Sequence, residues 1–150
     1  MSSGDKLRIF LSVPLSIPDV EKPVKLSNVI EEALGVHYID VAVHGMTGEP
    51  HPAPDTSVYQ NITRADLVVA DITGGNPDVM YEVGFAHALR KPVILLADRT
   101  TTNIPLDLAG HLVIISDPAE PAVLRRNIRM AVERYMPVYP ITGGKGAEKG

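Results

Sequence analysis

Glu82 is the residue whose type and surroundings most clearly suggest chemistry in this sequence. The apolar spacing from Pro77 to Leu89 predicts a helix, and from Val79 to Leu89 Glu82 is its only acidic residue. The helix is apolar almost all round, which is typical of a buried helix. A carboxylate on such a helix must be paired, protonated or turned toward a cavity. We therefore expect a functional role for Glu82, and the alternative is a structural carboxylate bonded to a neighbouring loop.

Two further carboxylates are expected near Glu82. Asp78 falls one helical turn before it on the same face, and Asp71 ends the apolar run that precedes the helix. Carboxylates in unequal environments suit acid, base or nucleophile roles. Each also has a simpler interpretation, since Asp78 complements the positive end of the helix dipole and Asp71 is placed to cap the turn that follows it. The sequence leaves these alternatives open.

The segment between Asp71 and the helix is a predicted turn. Thr73-Gly74-Gly75 supplies a flexible connection, Asn76 suits the N-cap, and Pro77 suits the first helical position. Unpaired backbone N–H groups at such a helix start can bind a phosphate or a carboxylate. An ordinary capped helix after a glycine turn is the alternative.

Apolar runs rich in β-formers alternate with helical patterns along the chain. The predicted strands are Leu7–Val13, His37–Val43, Asp66–Ile72, Pro92–Ala97 and Leu112–Ser116; the predicted helices are Val24–Leu34, Asp55 or Thr56 to Arg64, Pro77–Leu89 and Pro118–Tyr135; His44–Pro54 is a predicted loop. This alternation predicts an α/β fold with a doubly wound five-stranded parallel sheet in the flavodoxin-like order 2-1-3-4-5. Ligands of such sheets bind at the carboxyl ends of the strands, where the strand order reverses. Residues 12–16, 71–76 and 98–103 should therefore surround one crevice.

Composition narrows the class of protein. The chain of 150 residues suits one domain, predicted over residues 1–136, with residues 137–150 as a loose tail. A net charge of −4 argues against a nucleic-acid partner, and the lack of cysteine excludes thiol catalysis. No apolar run approaches the ~20 residues that span a bilayer, and no signal peptide is evident, so we expect no membrane association and a cytoplasmic location. The five histidines show no metal-ligand spacing, so we expect no metal.

Residues 65–97, ADLVVADITGGNPDVMYEVGFAHALRKPVILLA, resemble the signature of the nucleoside 2-deoxyribosyltransferase-like family. The segment is equally similar to the pattern of TIR-like nucleotide-binding domains. Ile9–Leu15 (IFLSVPL) is similar to the first strand of the family and the ligand loop after it, although Ser12-Val13-Pro14 stands where relatives often carry Gly-Pro. The resemblance implies chemistry on an N-glycosidic bond, with no cofactor.

The resemblance also implies catalytic roles. In the transferase branch the Glu of the Y-E-x-G motif is the nucleophile, which implies that Glu82 attacks the anomeric carbon and that water or another base resolves the glycosyl-enzyme. The family usually has an Asp that helps to protonate the leaving base, and its nominal position here is Val58. Asp55, one helical turn earlier, and Asp71 are the candidates to replace it. Gly84 matches the glycine that lets the helix pack closely in the family.

The candidate substrate-binding residues are Ser12, Pro14, Thr73, Gly74, Asn76, Asp78 and Tyr81. For Tyr81 the alternative is an ordinary core or rim position. Two functions stay open: cleavage or transfer at the N-glycosidic bond of a small-molecule nucleoside or nucleotide, and a TIR-like module that binds or hydrolyses NAD or a related nucleotide. A structural assembly domain is a third. Relatives often place a neighbouring subunit near the site, which implies a homo-oligomer.

Overall fold

The structure, a computed structural model, describes residues 7–14, 19–35, 38–44, 56–101, 108, 111–117 and 119–135. The elements within this part of the chain are β1 (Arg8–Pro14), α1 (Lys22–Leu34), β2 (Tyr38–His44), α2 (Thr56–Arg64), β3 (Leu67–Asp71), α3 (Pro77–Ala88), β4 (Val93–Ala97), β5 (Val113–Ile115) and α4 (Pro121–Tyr135). A 3-10 turn, Thr73–Gly75, joins β3 to α3. Asp55, most of the predicted loop 44–54 and the predicted tail 137–150 lie outside the described residues.

The strands form a five-stranded parallel sheet in the order β2-β1-β3-β4-β5. This confirms the predicted doubly wound sheet and its order. β3 lies at the centre and is buried along its whole length, as the run Leu67–Asp71 predicts for a strand covered on both faces. The chain order reverses between β1 and β3, so the carboxyl ends of these two strands frame the expected ligand crevice.

Helices cover both faces of the sheet, and the alternation of side chains along β1 shows how. Ile9, Leu11 and Val13 enter the core beneath α1 and α4, together with residues such as Ile30 and Ile128. Phe10 points to the opposite face. That second face is covered by α2 and α3, whose buried residues include Ile62, Val79, Val83 and Ala86. Each helix is therefore held against the sheet by its apolar stripe. None of the described helices is long and apolar enough to cross a membrane.

Two element boundaries differ from the sequence prediction in ways that matter for the site. His44 belongs to β2 rather than to the following loop, because β1 continues to Pro14 and the register pairs Pro14 with His44. Helix α1 begins at Lys22 instead of Val24, since Pro23 is tolerated in the first turn, where its missing N–H has no partner to lose. Both shifts bring polar side chains to the carboxyl edge of the sheet.

Gly84 does not pack closely against any of the residues that the structure describes, in contrast to the role that the family resemblance implies. It lies on an exposed part of α3, and a Cβ added there would meet no atom of those residues within 4 Å. Gly74 also has open space around it, but its φ of +75° lies in the left-handed region that side chains disfavour. The two glycines therefore differ in backbone conformation and not in crowding.

The pair Gly84→Ala and Gly74→Ala should change stability in opposite directions. Alanine at Gly84 should raise the free energy of unfolding by about 0.5–1 kcal/mol, because an open helical position loses less chain entropy with alanine. Alanine at Gly74 should lower it by about 1 kcal/mol through left-handed strain. Urea denaturation of both variants and the wild type measures the difference. A stability loss at Gly84 would show that a close contact forms there after all.

Candidate active site

Glu82 lies in the middle of α3 with only 5 % of its surface exposed. Its neighbours Val79, Val83 and Ala86 are buried against the sheet. The burial inferred from the apolar helix is therefore correct. A charged carboxylate in such a place needs partners, because desolvation without them costs several kcal/mol.

Two strands supply those partners. Ser12 Oγ on β1 donates a hydrogen bond to Glu82 Oε1 at 2.7 Å, and His44 Nε2 on β2 lies 2.9 Å from the same oxygen. Ser12 pairs with Ala42 in the parallel register, so His44 projects from the same face two residues farther along β2. The contacts are all on Oε1, and no described residue hydrogen-bonds to Oε2. The pairing fixes the orientation of the carboxylate and leaves its second oxygen for other contacts.

His44 was not identified as a site residue from the sequence. Its side chain is 16 % exposed, and its Nδ1 lies 4.0 Å from Asp78 Oδ2. The hydrogen bond to Glu82 raises the pKa of His44 above its ordinary value of 6.5, partial burial opposes this shift, and the charges of Glu82 and Asp78 add to it. The sequence signal for His44 is the strand pattern of Tyr38–His44, which continues one residue beyond the predicted end of the strand at Val43. Only the register with β1 shows that the strand includes His44.

Asp71 has a structural environment. It is fully buried, its Oδ1 accepts hydrogen bonds from Thr73 N at 3.0 Å and Thr73 Oγ1 at 2.6 Å, and its Oδ2 forms an ion pair with Lys22 Nζ at 2.6 Å. Oδ2 has no well-aligned hydrogen bond within the described residues, so there the ion pair with Lys22 alone compensates its buried charge. These contacts match the turn-capping alternative, and they engage Asp71 with Thr73 and Lys22 rather than with Glu82.

The turn after β3 is built as a rigid support for α3. Asn76 caps the helix, as predicted, by accepting hydrogen bonds from Asp78 N at 2.9 Å and Val79 N at 3.2 Å. These two amides are therefore engaged, which corrects the idea that they are unpaired and open to an anion. Thr73 Oγ1 accepts a hydrogen bond from Asp98 N at 3.0 Å, so the turn is also tied to the end of β4.

The other predicted contact residues surround Glu82 at different depths. Pro14 is buried at the end of β1, whereas the Asp78 side chain is 50 % exposed and Tyr81 is 64 % exposed beside Glu82. Tyr81 makes an edge contact with Tyr59 at 6.4 Å between ring centroids. Val58, the nominal position of the family Asp, packs against the apolar cluster around Phe10. Among the described residues, no group of three His, Cys, Asp or Glu side chains is placed to hold a metal.

Two cavities lie away from Glu82. One of about 430 Å³ opens at the carboxyl edge between α1 and α4, and its lining includes Lys22, Thr73 and Asp98. A larger one, about 600 Å³, lies at the opposite edge and is lined in part by His87 and His111. Size alone would favour the larger cavity, but none of its described lining residues is a carboxylate. The carboxyl edge, where Glu82 lies, is therefore the candidate site.

In this doubly wound α/β domain the buried, paired carboxylate of Glu82 lies at the carboxyl edge of the sheet, where open parallel sheets bind their ligands. The chain belongs to the nucleoside 2-deoxyribosyltransferase family: the model of that family matches residues 32–134, more than half of the sequence. It is an enzyme of the deoxyribosyltransferase or N-glycosidase kind, which confirms the family resemblance inferred from residues 65–97. No functionally curated protein matches the sequence significantly.

Solved structures share the fold at low identity. A 2-deoxyribosyltransferase from Bacillus psychrosaccharolyticus is 20 % identical with a TM-score of 0.53, over 92 % of this chain and 99 % of its own. A CMP N-glycosidase from Clostridium botulinum is 20 % identical with a TM-score of 0.51, over 81 % and 98 %. A protein described as pilus assembly-related, from Burkholderia pseudomallei K96243, is 14 % identical with a TM-score of 0.52, over 87 % and 92 %. At these identities the likeness establishes the fold.

The His44–Glu82 pair should make folding stability depend on pH. The folded-state pKa of His44 is raised, so its contribution is fully present below its ordinary value of 6.5 and is lost as pH rises through the folded value. The wild type should therefore hold its full stability advantage over His44→Gln below pH 6.5 and lose it as pH rises above that value. Urea denaturation at each pH measures the advantage, and titrating groups remote from His44 cancel in the comparison. An advantage that stays constant with pH would contradict a charged His44 in the folded protein.

Proposed function

We propose that this protein cleaves, or transfers to an acceptor base, the N-glycosidic bond of a nucleoside or nucleotide, with Glu82 as the nucleophile. The observation that carries the proposal is the environment of this carboxylate. Glu82 is 5 % exposed, lies at the ligand edge of the sheet and has one oxygen held by Ser12 and His44. In the proposed reaction Oε2 attacks the anomeric carbon while Oε1 stays in its hydrogen bonds.

The geometry suits this chemistry for two physical reasons. A held carboxylate needs little reorganisation when positive charge develops at the anomeric carbon, and the apolar surroundings strengthen the electrostatic attraction. Glycosidases use a carboxylate nucleophile in the same way, with a covalent glycosyl-enzyme that water then hydrolyses. An acceptor base in place of water gives transfer.

The remaining substrate contacts are proposed from the positions of residues around Glu82. Tyr81 and Asp78 are exposed beside Glu82, and Gly74 is exposed at the turn after β3, so these three are placed to meet the substrate. Ser12, Thr73 and Asn76 are engaged with protein groups, and we propose that they act mainly by fixing the nucleophile and the turn. Asp55 is retained as a candidate acid.

The substrate class follows from the family and from the named relatives of similar fold. One acts on deoxyribonucleosides by its name, and another on CMP. We therefore propose deoxyribonucleosides and nucleoside 5′-monophosphates as the first substrates to test, with NAD to cover the TIR-like alternative. No contact among the described residues specifically favours NAD.

Base release should depend on Glu82. Incubation with separate deoxyribonucleosides, CMP, its deoxy form and NAD, followed by chromatography of free bases, should show release by the wild type. Glu82→Gln should lower the rate by roughly 10³-fold or more, because the variant keeps the shape but loses the nucleophilic charge. A second free base in the mixture distinguishes transfer from hydrolysis.

The matched control is Glu31→Gln, which removes an exposed carboxylate from α1. It should retain wild-type activity, so that a loss in Glu82→Gln is specific to the site. Equal rates for the wild type and Glu82→Gln would exclude Glu82 as nucleophile. Release from NAD alone would replace the nucleoside proposal by the TIR-like one.

A further inference from the structure

The cavity of about 600 Å³ lies at the edge of the sheet opposite Glu82. Its described lining contains the first residues of two strands, Leu67 of β3 and Val93 of β4. A cavity of this volume is large enough for a small molecule. The chain therefore has a second concave surface at the amino ends of its strands, which the proposed glycosidic reaction does not use.

The polar side chains of this lining are all basic. They are His87 near the end of α3, Arg90 and Lys91 in the turn that follows, and His111 before β5, and none of the described lining residues is a carboxylate. Neither Arg90 nor Lys91 forms an ion pair with a described residue. The cavity therefore collects positive charge in a chain whose net charge is −4.

Lys91 is held in place without losing its charge. Its Nζ donates hydrogen bonds to the backbone oxygens of Thr63 at 2.7 Å and Ala65 at 2.9 Å. Because these oxygens belong to neutral groups, they fix the ammonium but do not neutralise it. The positive charge of Lys91 is thus a fixed feature of the cavity wall.

The turn after α3 closes the helix end with an arginine. Arg90 N donates to His87 O at 2.9 Å and Lys91 N donates to Ala86 O at 3.0 Å, so these backbone oxygens of the last turn have partners. Arg90 has a φ of +60°, the left-handed conformation in which glycine usually ends a helix. The exposed guanidinium therefore stands at a position where backbone geometry alone favours a residue with no side chain.

His87 and His111 form a stacked pair in the wall of the cavity. Their ring centroids are 4.9 Å apart and their planes differ by 20°. Burial, followed by the charge of His111, lowers the pKa of His87 below its ordinary value of 6.5, and no carboxylate opposes this shift. Two protonated rings at this distance repel each other, and a bound anion would offset that repulsion.

We propose that this cavity binds a small phosphate compound, with Arg90, Lys91 and the His87–His111 pair as the positive groups that hold it. The forked guanidinium matches two oxygens of a phosphate, and the ammonium adds a point charge. The ligand is inorganic phosphate or a phosphate monoester whose organic part covers the apolar wall around Leu67. The inference does not depend on the proposed glycosidic function.

The histidine pair makes this binding depend on pH. The described charged groups that line the cavity beside His87 are His111, Arg90 and Lys91, and all of them favour an anion. A bound dianion stabilises the protonated rings, so the affinity should increase as pH falls. Sulfate isolates the effect, because its own charge is constant in this range. It should bind roughly fivefold more tightly at about pH 5.5 than at about pH 8.

The first experiment titrates the wild type with inorganic phosphate and with phenyl phosphate at constant ionic strength, and follows the histidine rings by NMR. The resonances of His87 and His111, assigned from their glutamine variants, should shift in one saturable transition. Tighter binding of phenyl phosphate would identify a monoester as the ligand, and equal affinities would identify free phosphate. A shift of His44 alone would place the anion at the catalytic edge, and this result or no shift at all would overturn the proposal.

Variants of Arg90 separate binding from stability. Arg90→Gly relieves the left-handed conformation and should fold at least as well as the wild type, whereas Arg90→Gln keeps a side chain without the charge. Both should weaken phosphate binding about tenfold, because a charge-assisted hydrogen bond is lost. The matched control is Arg126→Gln, which removes an exposed arginine of α4 outside the cavity lining and should bind like the wild type.

Three further results would contradict the proposal. An equal loss in Arg126→Gln would show that the anion responds only to the overall charge of the protein. Sulfate binding that stays constant with pH would exclude the histidine pair from the site. Shifts of His87 and His111 caused by a short DNA duplex, at concentrations where phosphate has no effect, would replace the small-molecule site by a nucleic-acid surface.

Discussion

The buried carboxylate of Glu82 is the constraint on which the arrangement of the site depends. An ionised group on an apolar helix is stable only if its lost hydration is replaced, and here Ser12 and His44 replace it on a single oxygen. The two partners come from adjacent strands, so the same contacts that replace the hydration of the carboxylate also fix α3 against β1 and β2. The requirement for pairing thus sets both the position of the helix and the direction of the free oxygen.

A second polar network supports the turn that starts α3. Lys22 at the beginning of α1 meets Asp71 at the end of β3, Asp71 holds Thr73, and Thr73 accepts from the backbone of Asp98 after β4. Asn76 then caps the helix that carries Glu82. This network joins the carboxyl ends of two neighbouring strands to one helix start. Burial makes this network rigid, because Asp71 has no exposed surface at which solvent competes for its bonds.

The family assignment and the structure explain different parts of the site. The family model covers residues 32–134, which include α3 and Glu82, and the fold is shared with enzymes that are only 20 % identical. Val58 stands at the nominal place of a family carboxylate and packs in an apolar cluster. The proposed reaction, with Glu82 as the nucleophile, therefore takes the proton for its leaving base from a group other than the residue at position 58.

Local patterns in the sequence determined the alternating elements, the parallel sheet order, the Asn76 cap with Pro77 behind it, and the buried position of Glu82. Each depends on neighbours within a few residues or on a burial pattern repeated along one element. Only the tertiary structure decided which groups pair with Glu82, since Ser12 and His44 lie 70 and 38 residues from it in sequence. It also decided that Asp71 faces Lys22 and that Gly84 has no close neighbour in the described part of the chain. The physical reason is that strand register and helix packing set these contacts, and a one-residue shift in where β2 ends changes whether His44 reaches the site at all.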